Sequence, residues 1–344
     1  MVSSELEVAR VAEVAAVDPD GGHSRGAPIP NHAARFSRRL ESWLLVIALL
    51  ILIAVCMILF PQFRTSALFI AMINAQSLTL LLALCATVVL RVGDFDLSIP
   101  QTMVATAALV VLLTKAGLPL PFASAVGLLL GLAVGALNAL LVVRVGVDSF
   151  VATLGSFTAL SGIAWLLTDN RVIVGVPPVL IDLARGRLFN LPLITWYAWA
   201  LMAALWYLYE MTPLGKYMLF IGGNRNAARL CGIPVQGIRV GAYIASGVLA
   251  SLIGILFTGY FGAVDPGAGS QFMLQPFAAA FLGATAVSVG RFNSVGTAVA
   301  LYFLTVGITG LQLFGAQTWV TNVFYGVALM VAVTAAKLAG SLRR

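Results

Sequence analysis

Long apolar runs separated by short polar turns occupy most of the chain. A helix needs about 20 mostly apolar residues to cross the hydrocarbon layer. Runs of that kind cover Trp43 to Phe60, Leu68 to Leu90, Ser98 to Thr114, Pro119 to Val143 and Ser149 to Leu167. Five more cover Ile194 to Tyr209, Ile238 to Tyr260, Met273 to Val289, Asn293 to Leu313 and Trp319 to Lys337. The runs are continuous and lack the alternation of barrel strands. The pattern therefore predicts an all-α polytopic membrane protein with about ten transmembrane helices spanning residues 43–338.

Polar segments flank and interrupt this region. Residues 1–42 are rich in Pro, Gly and charge (PDGGHSRGAPIPNH) and too poor in large apolar side chains to pack a core, so a mobile N-terminal tail is expected. Residues 339–344 form a short basic C-terminus. Two loops are long. One, 168–193, carries Asp169, Asn170, Arg171, Asp182, Arg185 and Arg187 with three prolines. The other, 212–237, is glycine-rich and basic.

Charge orients the chain. Ten crossings put both termini on one side, and Lys and Arg concentrate on the cytoplasmic side of membrane proteins. With the termini inside, 15 of the 20 basic residues lie inside and 5 outside. This makes both termini and the loop 212–237 cytoplasmic, and the loop 168–193 external. The net charge of +7 then reports topology and gives no reason to invoke nucleic acid. The chain is 60% hydrophobic and 10% charged, with a mean hydropathy of +1.00 over 344 residues, which excludes an ordinary soluble domain. Cys56, Cys85 and Cys231 suggest neither a disulfide framework nor a metal site, and His23 and His32 both fall in the N-terminal tail.

Catalytic chemistry is not visible. The sequence contains no phosphate-cradling GxxxxGK[ST], HExxH or GxSxG and no pair of carboxylates within a span. Coupled secondary transport usually places ionisable relays deep in the spans, and here the nearest are Asp94 and Asp96 at a helix end. Uncharged polar side chains do occur within or near the spans: Asn74, Gln76, Asn138, Thr153, Gln275, Gln312 and Asn322. They could hydrogen-bond a hydroxylated solute without burying a charge, or simply bond helix to helix. Asp96 and Ser98 suit a helix start with Pro100 in its first turn, either as a plain cap or as a functional helix break. Gly127, Gly131 and Gly135 recur every fourth residue, a spacing that lets helices approach closely; packing within one subunit is favoured over a dimer seam.

The segment TPLGKYMLFIGGNRNAARLCGI, Thr212 to Ile233, is the most patterned polar stretch. Pro213 ends the preceding helix, Gly222 and Gly223 permit a sharp reversal, and Asn224 can cap a short helix through Ala227, Ala228, Arg229 and Leu230. Gly232 suits the left-handed residue that closes such a helix, and Pro234 prevents its continuation. A compact cytoplasmic helix presenting Arg225 and Arg229 is expected.

That segment resembles the coupling segment of ABC importer permeases of the ribose, xylose and galactose type, which include the autoinducer-2 permeases. GDFDLSI (Gly93 to Ile99) is similar to their Gly-x-Asp-Leu-Ser signature, and FLGATAVSVGRFNSVGT (Phe281 to Thr297) to their Leu-Gly-Gly-Thr and closing Gly-Thr pattern. The chain departs from the family at Ile99-Pro100-Gln101, at Ala284, where a second glycine is usual, and near Val289-Gly290. The resemblance implies a permease of the bacterial inner membrane, for a sugar, polyol or related hydroxylated solute. It implies a second permease subunit, identical or a sister chain, a cytosolic ABC ATPase subunit and an extracytoplasmic solute-binding protein. This chain would bind no cofactor, with ATP and Mg held by the ATPase. Residues Gly222, Gly223, Asn224, Arg225, Ala228, Arg229, Leu230 and Gly232 would couple to that ATPase. Asn74, Gln76, Asp96, Ser98, Asn138, Thr153, Gln275, Gln312 and Asn322 are candidates for the substrate pathway. A stand-alone secondary transporter or channel for a small neutral solute is the alternative.

Overall fold

The computed structural model describes residues 32–341, so the expectation for most of the N-terminal tail lies outside the described residues. Helix α1 (His32–Leu59) begins eleven residues before the expected end of that tail, and a 3₁₀ turn (Pro61–Arg64) leads into α2 (Ser66–Leu90). There follow α3 (Ile99–Lys115), α4 (Leu120–Ala139, continuing as a π turn over Leu140–Val145) and α5 (Ser149–Leu167). A short α6 (Pro178–Arg185) precedes α7 (Leu193–Met211), α8 (Pro213–Gly223), α9 (Arg225–Leu230) and α10 (Val235–Phe261). The chain closes with α11 (Ala268–Gln271), α12 (Leu274–Gly283), α13 (Ser294–Leu313) and α14 (Thr318–Ser341). Four two-residue strands, β1 (Ile173–Val174), β2 (Arg187–Leu188), β3 (Leu191–Pro192) and β4 (Ala263–Val264), pair as β1 with β4 and β2 with β3.

Five segments, Ser66–Leu90, Leu120–Val145, Ser149–Leu167, Val235–Phe261 and Ser294–Leu313, are long and apolar enough to cross a membrane, and three shorter apolar helices accompany them. The core is built around α10. Gly131 and Gly135 of α4 lie against the backbone of Gly247, Tyr243 and Ile244, and Gly127 against Thr106 and Val110 of α3. A β-carbon at any of these positions would collide, so the glycine row serves packing within one chain, where close backbone approach gains dispersion contacts. Gly155 and Gly162 of α5 have nothing within 4 Å of such a carbon, and that helix exposes much of its surface.

One of the expected spans is broken, and the loop between two others enters the bundle. α2 and α3 match the expected runs Leu68 to Leu90 and Ser98 to Thr114 within two residues at each end. Asp94 meets Arg239 near the start of α10, and Asp96 meets Ser246, about 10 Å further along that helix at 1.5 Å per residue. The loop between α2 and α3 therefore penetrates the bundle before its helix begins. The run expected as Met273 to Val289 is only the ten-residue α12, preceded by a turn through Pro266 and α11 and followed by an irregular stretch to Asn293. The start of α3 meets this turn. Gln101 donates from Nε2 to the Pro266 carbonyl at 3.3 Å and its Oε1 lies over Gly269. One departure from the family pattern thus falls where α3 touches the turn before α12.

At the opposite end of α10 the loop 168–193 is ordered by backbone contacts. Gly259 lies against the Leu180 carbonyl, Arg185 donates to the Tyr260 carbonyl at 2.8 Å, and Ile173 pairs with Val264.

Candidate coupling site and solute cleft

The predicted short helix is present as α9. Asn224 Oδ1 accepts from the N–H groups of Asn226 and Ala227, both at 3.0 Å, which satisfies two of the donors a helix start leaves free. At the other end Gly232 has φ +76°. Its N–H reaches the Arg229 carbonyl at 3.0 Å and that of Ile233 reaches Ala228 at 3.1 Å, a Schellman closure. Ala228 is fully buried, whereas Leu230 is 90% exposed and Arg229 faces outward beside it.

Two details differ from the sequence expectation. Pro213 occupies the first turn of α8 after its helix-ending break, with Thr212 capping through the Gly215 N–H. Gly222 and Gly223 then form the last turn of α8 rather than a sharp reversal. Gly222 is needed for proximity: a β-carbon there would strike the Arg91 carbonyl and crowd the Gly93 amide, whereas at Gly223 it would meet nothing within 4 Å. Arg225 is not presented outward either. Its guanidinium holds Asp94 Oδ1 at 2.6 Å and the Gly93 carbonyl at 2.8 Å.

Asp94 is the centre of this contact. Its carboxylate, 3% exposed, also receives Nε of Arg239 at 2.7 Å and Nη2 of Arg239 at 3.0 Å. Two guanidiniums on one buried carboxylate form charge-assisted bonds, the strong class of hydrogen bond, and neutralise what would be a costly isolated charge. Arg91 makes a second tie. It lies 4.3 Å over the Tyr209 ring, donates to the carbonyls of Tyr209 and Phe292 at 3.1 and 2.6 Å, and approaches Glu210 at 3.6 Å. Together these groups lock α8 and α9 to the ends of α2, α7 and α10 and to the loop before α13. Sequence reasoning counted Arg91 and Arg239 only as topology charges and left Asp94 without a role. The partners lie 131 and 145 residues apart, and no local pattern links them.

Eight of the nine candidate pathway residues divide into two groups, and Asn74 belongs to neither. Asp96, Ser98, Asn138 and Thr153 are buried and satisfied within the bundle. Asp96 accepts from Ser98 N–H at 3.1 Å, Ser98 Oγ at 2.5 Å and Ser246 Oγ at 2.7 Å. Asn138 donates to Ser98 Oγ at 2.9 Å and accepts from Ser156 at 2.6 Å, while Thr153 accepts the Leu97 N–H at 3.0 Å. Ser98 precedes α3 without capping it by side chain; of the two open readings, plain cap or functional helix break, the first lacks its cap bond, and the pair cross-links α4, α5 and α10. Gln76, Gln275, Gln312 and Asn322 instead line open space. One cleft of about 450 Å³ is bounded by Ser270, Gln271, Leu274, Gln275, Thr321, Asn322 and Tyr325. An adjoining one of about 290 Å³ adds Gln76, Thr305, Thr309 and Gln312 and shares Gln275, Thr321 and Tyr325. Asn74 Oδ1 and Gln76 Oε1 are buried without a hydrogen-bond partner.

Residues 68–333 match the family model described as "Branched-chain amino acid transport system / permease component", a stretch that takes in α9, the loop between α2 and α3, the shortened α12 and the clefts. The chain belongs to this permease family. Among its relatives, the ribose import permease protein RbsC of Escherichia coli K12 is 30% identical over 301 residues, covering 85% of this chain and 94% of its own. The RbsC of Haemophilus influenzae is 28% identical over 299 residues, covering 86% of this chain and 93% of that protein. The autoinducer 2 import system permease protein LsrC of Escherichia coli SMS-3-5 is 30% identical over 257 residues, 75% of each chain. No solved structure matches the chain. The apolar helices of this permease and its relatives identify it as a multi-pass membrane protein.

Proposed function

We propose that the chain is the transmembrane subunit of a binding-protein-dependent ABC importer for a sugar or similar neutral hydroxylated solute, driven by a separate cytosolic ATPase. The single observation that carries this reading is α9, a helix closed at both ends and anchored from behind by Arg225–Asp94–Arg239, with Arg229 and Leu230 facing outward. A rigid element of this kind transmits displacement; a slack loop would absorb it. The names of the ribose and autoinducer-2 relatives favour a sugar over the amino acid in the family description. In this reading a zwitterion would need charged partners inside the membrane, which are costly there.

The finer assembly follows from the same reading. Both termini and α9 lie in the cytoplasm and the loop 168–193 outside, at the inner membrane of a bacterium, the orientation that the concentration of Lys and Arg supports. A second permease subunit completes the transporter, Mg-ATP is bound and hydrolysed in the ATPase, and a solute-binding protein docks on the outer loops. In the reconstituted complex, Arg229→Glu and Leu230→Asp are expected to abolish substrate-stimulated ATP turnover while membrane insertion persists. Normal coupling in both variants would sink the reading in favour of a stand-alone transporter.

A further inference from the structure

The polar residues in the spans are of two kinds, and their hydrogen bonding separates them. The set around Asp96 has every partner it needs within the bundle. In the set around Gln275, Gln312 Nε2 reaches Thr321 Oγ1 only at 3.5 Å, and one buried oxygen has no partner. Three carboxamides from three helices, Gln76 on α2, Gln275 on α12 and Gln312 on α13, line one cleft, and Asn322 of α14 borders the neighbouring one. Gln76 Oε1 is buried with no donor, although buried polar atoms are as a rule satisfied by protein or water.

We propose that these joined clefts are a solute site on the permease itself, taking a neutral polyhydroxylated molecule of monosaccharide size. A carboxamide offers both donors and an acceptor, which matches a hydroxyl that gives one hydrogen bond and receives another. Ser270, Thr305, Thr309 and Thr321 add hydroxyls, and Tyr325 adds a flat apolar ring for the carbon face of such a molecule. Among the described residues lining the clefts none is charged. A zwitterionic amino acid or an anion would enter without a counter-charge, whereas a neutral polyol loses nothing by that. The two volumes, about 450 and 290 Å³, lie at the small end of the range for ligand pockets, roughly 300–1,000 Å³. Ser270 and Gln271 of the turn before α12 and Gln275 in the first turn of α12 bring a helix break to the site, the arrangement by which membrane transporters bind solutes between discontinuous helices. This inference rests on the importer reading and adds that the permease, beyond any binding protein, selects its cargo.

The test uses the full chain in lipid nanodiscs with its ATPase. Cys231, the exposed cysteine, is changed to Ser, and Ser270→Cys on the rim becomes the reporter for a membrane-impermeant maleimide. D-ribose and myo-inositol, each at tens of millimolar, are expected to slow labelling about threefold, as mass action gives for a probe at twice its Kd, while L-leucine leaves the rate unchanged. Adding Gln76→Leu, or Asn322→Leu if the first variant fails to incorporate, should abolish protection without altering the rate in the absence of solute. Protection by neither sugar, protection by leucine alone, or protection that survives these substitutions would overturn the proposal. Retention of the ATPase on the same nanodiscs is scored separately, so a permease that holds its ATPase but ignores both sugars refutes the solute site and leaves the importer reading standing.

Discussion

Asp94 illustrates how much rests on single side chains in this permease. One buried carboxylate receives Arg225 from α9 and Arg239 from α10, so removing it strands two cations. Breaking one partner of a buried pair costs about 3–5 kcal/mol, and Asp94→Ala is expected to lower thermal stability accordingly. Arg225→Ala, whose side chain is 40% exposed, should be milder. A melting series on the purified chain checks the order, and an Asp94→Ala variant as stable as the parent would remove the ion pair from the account. A second residue-scale contrast lies side by side. Gly222→Ala forces a methyl group into the Arg91 carbonyl, whereas Gly223→Ala meets nothing. Uptake with coupled ATP hydrolysis should fall at least tenfold in the first and stay near the parent in the second. Equal behaviour would show that close approach at Gly222 is dispensable.

At the scale of elements, α9 owes its shape to its two ends. The Asn224 cap contributes about 1 kcal/mol by the usual cost of Asn→Ala at this position, and Ala at Gly232 would sit in the left-handed region at about 1–2 kcal/mol. Six residues cannot hold a helix alone, because nucleation is unfavourable and short helices depend on packing and caps. Asn224→Ala and Gly232→Ala should therefore speed amide exchange over residues 225–231 while exchange in α10 is unchanged. Exchange rising equally in both helices would mean that the caps stabilise the bundle rather than the helix. The cap and stop residues were legible in the sequence because each acts on its neighbours within four positions. The inward turn of Arg225 was not, because it depends on a carboxylate far away in the chain. The same distinction explains α12: the apolar run from Met273 is long enough to read as a span, but Gly283 packs against Gly296 and Thr297, and Asn293 donates to the Gly283, Ala286 and Arg291 carbonyls, ending the helix early.

For the whole molecule, the glycines sort internal from external contact. Gly131→Leu would drive a side chain into Gly247 and Ser251 of α10 and should prevent folding, read as loss of a monodisperse peak after extraction. Gly155→Leu and Gly162→Leu, where the structure leaves open space, should fold normally but reduce the dimeric fraction if α5 faces the proposed second permease subunit. Unchanged dimerisation would place that seam elsewhere. Both sets of glycines look alike in sequence, since a small residue every third or fourth position marks close approach without naming the partner.

Hydrophobic run length and turn chemistry by themselves determined that this chain is a helical membrane protein and where its short polar helix α9 begins and ends. These are local or additive properties: lipid demands apolar length, and caps act within a turn. Tertiary structure decided that the run from Met273 stops early, that Asp94 ties α9 to the core, and which polar residues are already satisfied and which still face an open cleft. Each of those outcomes depends on groups from distant parts of the chain meeting in a medium that cannot hydrogen-bond or solvate them, so only the packed bundle supplies their partners.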